Sequence, residues 1–510
     1  MTQDREKRAA KIGLVSALLC GFLVHLYGLV NAVHNYDDIL QLPKGYGAGV
    51  TLGRWFLNIL GDFCEKYLDL GYNFPLVNGI ALLVFVALST ALVIRVLRIR
   101  NPLSAGLTGC LMATFPTFCS TMLFRFTAGY YGLCLLLSVL AAWAIEKPKY
   151  GIFLSALLTA LSLGIYQAYT PVTIGLMVLM LLRQSLEEDT QFRTLVCQGI
   201  RCAVSLILGL LLYYFLLQLT LKAYGAELDS YLGINEMGKL SLSTLPHMLK
   251  KAWMQAVFFP LKNYCDLTTV RMLKLLWAAE LVLTCGLAVF LLIRRDMQPL
   301  NRAFYCLMGF VLPIAVDFQV IMSPQTMYTL MAYSFVLLGC APLMLAEFLD
   351  KPGKKPETFR RILGLVLAGI VFYNGYYANY HYTALYYSNR QVENYFSGMV
   401  AQMRMTQGFT PEKTWAFLGD NQDPMMYDIW NTVDRYGGAK SSSARELMNV
   451  GYSFSVWFHN YLGVDTRFAS QEEKDTLWQD ARVTQMPCWP SQGSMQVIDD
   501  YLVVKFQEAP

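Results

Sequence analysis

The sequence predicts a mostly α-helical, polytopic membrane protein with a small α/β domain at its C-terminal end. Three observations carry that prediction. Of 510 residues, 55% are hydrophobic and only 15% charged, against roughly 25% charged in soluble domains. Apolar runs of about 20 residues, each long enough to cross a hydrocarbon core as a helix, recur along most of the chain. From residue 388 onward the composition is that of a soluble domain, with short strand-like runs in place of spans.

Reading the apolar runs between charged punctuation gives about 11 spans: 12–33, 76–97, 103–123, 126–145, 151–166, 169–182, 197–221, 274–293, 303–321, 326–346 and 362–385. The first has a basic start, but it is longer than a signal-peptide core and no small-x-small site follows, so it reads as an uncleaved span. The fifth and sixth are short and broken at "YQAYTP".

Basic residues orient these spans. With the N-terminus in the cytoplasm, one side collects Arg5, Lys7, Arg8 and Lys11, then Arg95, Arg98 and Arg100, then Lys147, Lys149, Arg183 and Arg193. Arg294, Arg295 and Arg302, and finally Lys351, Lys354, Lys355, Arg360 and Arg361, fall on the same side. The short outer turns near 167 and 323 carry no Lys or Arg. This is the positive-inside pattern, and it sends the first loop and the C-terminal tail outward. The net charge of +5 therefore reports orientation, and no nucleic-acid partner is expected.

The expected organisation is a transmembrane domain over 1–387, with outer loops at 34–75 and 223–273, and a soluble outer domain over 388–510. The first loop contains an amphipathic helix over 50–69, with Leu52, Phe56, Ile59, Leu60, Phe63 and Tyr67 on one face and a polar stripe of Arg54, Asn58 and Asp62. The second contains "STLPHMLKKAWMQAVFF", with Pro246 near its start. In the tail, "TWAFLGD" reads as a buried strand and "MQVIDDYLVVKF" as a hairpin turning at Asp499-Asp500. The 12 cysteines lie mostly in apolar runs and form no C-x-x-C pair, so neither a disulfide framework nor a zinc site is indicated.

Residues out of place in this topology gather on the outer side. Asp37 and Asp38 follow span 1; Arg125 sits in the tight turn "LFRFTAGYYG"; Gln167 lies between Tyr166 and Tyr169; Asp317 and Gln319 fall in "PIAVDFQVIMSPQ". A charge at mid-bilayer costs on the order of 3 kcal/mol on insertion scales, so such groups face a cavity or a partner. Each also has a plainer reading: solvated helix end for the acids, snorkelling for Arg125, packing for Asp317, a structural turn for Gln167. The run "YNGYYANYHYTALYY" reads as an interfacial aromatic belt, and metal ligation is not expected of the isolated histidines His34 and His381.

Together the outer polar residues suit sugar transfer from a lipid phosphate. A carboxylate takes the proton of the acceptor hydroxyl, and cations stabilise the charge building on the departing phosphate. The oxocarbenium-like anomeric carbon also gains from nearby carboxylate charge.

"YDDI" after a first span, "GRW" opening an amphipathic helix and "SLGIYQAYTP" in mid-chain resemble the bacterial type II Gtr glucosyltransferases. These belong to the GT-C class of polytopic membrane glycosyltransferases. The resemblance covers residues 10–345. It implies inverting transfer of glucose or a related hexose from a polyprenyl-phosphate donor to a cell-surface glycan, on the outer face of the bacterial cytoplasmic membrane.

The resemblance matches Asp37 and Asp38 to the family's essential first-loop acids and the family's "GR" to Gly53 and Arg54; of the two acids, Asp38 is the one expected here as general base, the other positioning the acceptor or helping to bind a cation. The donor phosphate is then expected at Arg54 and Arg125, assisted by Lys250, Lys251 or Lys262. The remaining substrate contacts are expected from Tyr166, Gln167, Tyr169, Asp317, Gln319 and Gln325. Asp37 and Asp38 are also compatible with a divalent cation, Mg or Mn. The departure from the family pattern is "SPQTMYTL", where Gln325 stands near an expected arginine. Two other classes stay open. A transporter or flippase would place charges across both leaflets; an envelope-assembly scaffold would lose all function on deletion of 390–510.

Overall fold

Proline and asparagine start many of the helices. In the computed structural model, which describes residues 2–47, 49–188, 190–230, 243–322, 327–349, 357–421, 423, 444–449 and 455–508, Pro75, Pro102, Pro116 and Pro299 open helices at their first turn. That position needs no backbone N–H, and the fixed φ of proline suits it. The Asn101 side chain caps the second of these by accepting from the Leu103 and Ser104 amides.

In chain order the helices are α1 (Thr2–Val30), α2 (Tyr36–Leu40), α3 (Trp55–Tyr67), α4 (Pro75–Leu97), α5 (Pro102–Thr114), α6 (Pro116–Leu123), α7 (Arg125–Ala144) and α8 (Gly151–Ile165). There follow α9 (Thr170–Ser185), α10 (Phe192–Tyr224), α11 (Leu245–Lys262), α12 (Arg271–Arg294), α13 (Pro299–Val316), α14 (Gln319–Met322), α15 (Val336–Ala346) and α16 (Glu357–Arg404). Among the described residues, eight helical stretches are long and apolar enough to cross a membrane: Asp4–Val30, Pro75–Leu97, Pro102–Leu123, Arg125–Ala144, Phe192–Tyr224, Arg271–Arg294, Pro299–Val316 and Glu357–Arg404.

Three of the expected spans fall in shorter helices. The 151–182 region breaks where Tyr166 takes an extended backbone and Gln167–Tyr169 form a 3-10 turn, leaving α8 and α9 with 15 and 16 residues. The 326–346 segment spends its start on 3-10 turns at Thr329–Met331 and Tyr333–Phe335, so α15 has 11 residues. The outward faces are apolar: Leu23, Leu211, Val282 and Leu365 are each 61–73% exposed, as suits lipid and not water.

The chain divides into two compact units, one of Met1–Val30 with Lys44–Tyr380, the other of Asn31–Pro43 with His381–Asp434 and Ala439–Pro510. In the first unit, α1 packs on α4 and α5, α4 on α7, α7 on α8, α8 on α10, and α9 on α13. The α1–α5 contact is close because residue 109 is glycine. A Cβ there would stand 2.3 Å from the Gly13 carbonyl oxygen and 2.9 Å from the Ala17 nitrogen, the small-residue packing by which membrane helices approach. Buried Arg183 is neutralised by Glu187 at 2.6 Å and Glu146 at 3.2 Å.

The loop helix begins later than its sequence pattern suggests, because Val50–Leu52 form a 3-10 turn before α3. Its polar stripe has structural partners. The Tyr46 hydroxyl donates to Asp62 at 2.7 Å, and Asn58 Nδ2 donates to the Tyr224 hydroxyl at 3.0 Å. Burial, with the Asp62 charge added, pushes the Tyr46 hydroxyl above the ordinary phenol range.

The second unit carries a three-stranded sheet ordered β1-β3-β2, with β1 Thr414–Leu418, β2 Met495–Ile498 and β3 Tyr501–Lys505. The central strand β3 is parallel to β1 and antiparallel to β2. "TWAFL" is buried throughout, and the β2–β3 hairpin turns at Asp499-Asp500, with Asp499 at φ +50. Arg482 grips that turn, reaching Asp499 at 2.6 Å and Asp480 at 2.7 Å. Helix α17 (Gln471–Trp478) and the short helix Ala481–Thr484 lend Leu477 and Val483 to a core with Ala416, Leu418, Met486, Ile498 and Val503.

Candidate active site

Gly53 is the turning point of the "GRW" segment. It adopts φ +73, a left-handed conformation that only glycine enters without strain. The Gln167 amide and the Tyr213 hydroxyl close over it: Gln167 Nε2 donates to the Leu52 carbonyl at 3.1 Å and to the Tyr213 hydroxyl at 3.1 Å, and that hydroxyl donates to the Gly53 carbonyl at 3.0 Å. A Cβ on Gly53 would lie 2.7 Å from both side chains. The buried amide of Gln167 thus ties the loop backbone to the broken turn between α8 and α9; leaving such a donor unmet would cost about 1–3 kcal/mol.

That clamp presents Arg54. Its guanidinium lies 4.8 Å from the centroid of the Tyr166 ring, and Tyr166 lies flat on Tyr131, centroids 4.4 Å apart and planes 2° apart. Tyr169 continues the aromatic column, 6.0 Å from Tyr166 and 5.9 Å from Tyr333. Among the described residues no carboxylate forms an ion pair with Arg54, and its buried Nε has no hydrogen-bond partner. The charge is held by a π-face and backbone geometry, which keeps it available for an anion. Arg54, Tyr166, Gln167 and Tyr169 thus come together. Arg125 opens α7, buried to 2% exposure, with Nε 3.4 Å from the Met122 carbonyl and its own carbonyl accepting from Asn78 Nδ2 at 3.0 Å.

A second polar group forms at the end of α13. Asp317 caps that helix and is fully buried, and Tyr264 donates to its Oδ1 at 3.4 Å. The Lys251 ammonium acts on the same carboxylate electrostatically. Burial, with Cys265 and Asp317 adding, drives the Tyr264 hydroxyl far above the ordinary phenol range, so it stays a donor. Among the described residues neither Asp317 Oδ2 nor buried Gln319 Oε1 has a hydrogen-bond partner. Lys251 is half-buried on α11, while Lys250 and Lys262 on the same helix are exposed. Gln325 lies outside the described residues.

Asp37 and Asp38 belong to the second unit. They sit in the one-turn helix α2, whose N-cap Asn35 accepts from the Asp38 amide at 2.7 Å. Asp38 is 2% exposed and Asp37 half-exposed. The His34 ring nitrogen Nδ1 stands 4.0 Å from Asp38 Oδ2, and the edge of that ring meets Tyr461, centroids 6.0 Å apart. Asn389 on α16 binds the His34 backbone at both ends, accepting from its N–H at 2.8 Å and donating to its C=O at 2.9 Å.

Sequence reasoning missed His34, Tyr213, Tyr264 and Asn389. His34 carried a legible signal, since it precedes Asp38 by four residues. The partners of Tyr213, Tyr264 and Asn389 lie 46, 53 and 355 residues away in the chain, so no local pattern marks them.

No curated protein sequence and no solved structure matches the chain. A profile of the glucosyl transferase GtrII family matches residues 26–339, more than half of its length and inclusive of Asp37, Asp38, Arg54 and Asp317. The chain belongs to the GtrII glucosyl transferase family.

Proposed function

We propose that this membrane glycosyltransferase moves glucose, or a related hexose, from a polyprenyl-phosphate donor to a cell-surface glycan, with inversion, on the outer face of the bacterial cytoplasmic membrane. The observation that carries the reading at residue level is the buried carboxylate of Asp38, set in the capped turn α2 with the His34 ring beside it. A carboxylate held in one orientation away from bulk water suits a general base.

In the proposed step Asp38 takes the proton of the acceptor hydroxyl, and that oxygen forms the new bond to the anomeric carbon. The bond from that carbon to the phosphate oxygen breaks, and polyprenyl phosphate leaves with the electron pair. Arg54 and Arg125 serve the departing phosphate, with Lys250, Lys251 and Lys262 as the further basic candidates. Asp317 Oδ2 and Gln319 Oε1, acceptors with no partner among the described residues, suit hexose hydroxyls, with Gln325 assigned to the same substrate. Tyr166, Gln167 and Tyr169 act chiefly by holding the Arg54 loop.

The described residues hold no group of three or more His, Cys, Asp or Glu able to cage a metal ion. A divalent cation, Mg or Mn, would be held by Asp37 and Asp38 only together with the donor phosphate. The test is transfer of label from polyprenyl-phosphate [14C]glucose to envelope glycan in proteoliposomes. Wild type should transfer label and Asp38→Asn should not; full activity in Asp38→Asn would overturn the base assignment, and full activity in both Asp37→Asn and Asp38→Asn would remove the acidic turn from the reaction.

A further inference from the structure

The family match ends at residue 339, yet the acidic turn inside that match is gripped by residues far beyond it. Asn389 closes two hydrogen bonds on the His34 backbone, at 2.8 and 2.9 Å. Asn460 donates to the Leu42 carbonyl at 3.2 Å and to the Ile39 carbonyl at 3.4 Å, on the other side of the two acids. Tyr461 packs its ring against His34 and points its hydroxyl at Asn389 Oδ1, 3.4 Å away. The segment 34–42 is thus tied at both ends, through backbone groups, to α16 and to the helical turn Trp457–Tyr461.

We infer that Asn389, Asn460 and Tyr461 are positioning residues for the acidic turn, so that the C-terminal unit is a working part of the transferase. The inference rests on the proposed role of Asp38. Its physical basis is that α2 has five residues, too few to hold its own conformation. The direction of the Asp38 carboxylate is then set by what fixes the chain on either side. Two side-chain amides bonded to backbone groups do this irrespective of loop sequence, and a base misplaced by about 1 Å loses on the order of a hundredfold in rate. His34 belongs to the same arrangement, because the Asn389 bonds orient the residue whose ring stands beside Asp38.

The full-length protein in proteoliposomes, assayed with polyprenyl-phosphate [14C]glucose, tests this. Asn389→Ala and Asn460→Ala should each lower kcat roughly tenfold to a hundredfold while donor KM stays within about twofold. Arg390→Ala, one position along α16 and exposed beside Glu393, should match wild type. Asn460 is itself exposed, so its alanine variant should keep the wild-type melting temperature and decides the matter even if Asn389→Ala fails to fold. Wild-type kcat in Asn460→Ala, with Asp38→Asn inactive, would overturn the positioning role and leave the proposed function standing. An active Asp38→Asn would remove the base assignment itself, and the positioning role with it.

Discussion

The Arg54 guanidinium lies over the Tyr166 ring at 4.8 Å, and Tyr166 in turn lies flat on Tyr131 at 4.4 Å. An arginine held against an aromatic column keeps its charge in place with less side-chain freedom left to lose on binding. On the proposed phosphate role of Arg54, the ring of Tyr166, and not its hydroxyl, is what supports that residue.

Tyr166→Phe should therefore retain most transferase activity, while Tyr166→Ala removes a contact worth about 0.5–2 kcal/mol and raises donor KM accordingly. Arg54→Lys keeps the charge but loses the planar fork, and is expected to lower kcat/KM at least about tenfold. Steady-state kinetics with the labelled donor would show the order Phe, then Ala, then Lys. Equal activity in Arg54→Lys and wild type would remove Arg54 from the phosphate site.

Gly53→Ala should be more harmful than its size suggests. The substitution puts a Cβ at φ +73 and within 2.7 Å of Gln167 Nε2 and the Tyr213 hydroxyl. The left-handed backbone alone costs about 1–2 kcal/mol, and the clamp must open as well. The expected outcome is a large loss of activity with the protein still inserted and folded. Gln167→Ala should reproduce part of the defect by freeing the same loop.

Gly109→Ala is a stability test. The new methyl would meet backbone atoms of Gly13 and Ala17 and not movable side chains, so α1 and α5 must separate. Overpacking of this kind costs roughly 1–3 kcal/mol, read as a lower melting temperature in detergent. Gly398→Ala, where a Cβ meets nothing within 4 Å, is the matching control.

The C-terminal unit should weaken in acid through Glu473. Hydrogen bonds from the Ser470 backbone and the Tyr501 hydroxyl hold this carboxyl at about 2, below its ordinary 4.5. A depressed folded value means the contribution is complete above the ordinary range and fades as pH falls toward 2. Hydrogen exchange at the β3 amides, corrected for intrinsic pH dependence, should rise across that window in wild type. In Glu473→Gln the rise should be smaller.

Much of the architecture was legible because membrane insertion writes itself into long apolar runs. The break at "YQAYTP" appeared as expected, since a proline and two tyrosines interrupt an otherwise continuous run. The amphipathic helices at Trp55–Tyr67 and Leu245–Lys262, the strand "TWAFL" and the Asp499-Asp500 hairpin also follow from local periodicity and turn chemistry. The number of membrane-length helices was less legible, because 3-10 turns around residues 167–169 and 329–335 consume chain that hydropathy counts as span.

By itself the sequence determined the helical membrane class, the family and the residue types available for sugar transfer. These depend on composition, on local pattern and on short motifs in order. Only the tertiary structure decided what those residues hold: that Gln167 is bound to the loop before Arg54, that His34 stands beside Asp38, and that Asn389 and Asn460 fasten the turn carrying both aspartates. The Gln167, Asn389 and Asn460 contacts each join positions more than 100 residues apart through a single side-chain amide. No local periodicity records them, because their geometry exists only once the helices have packed.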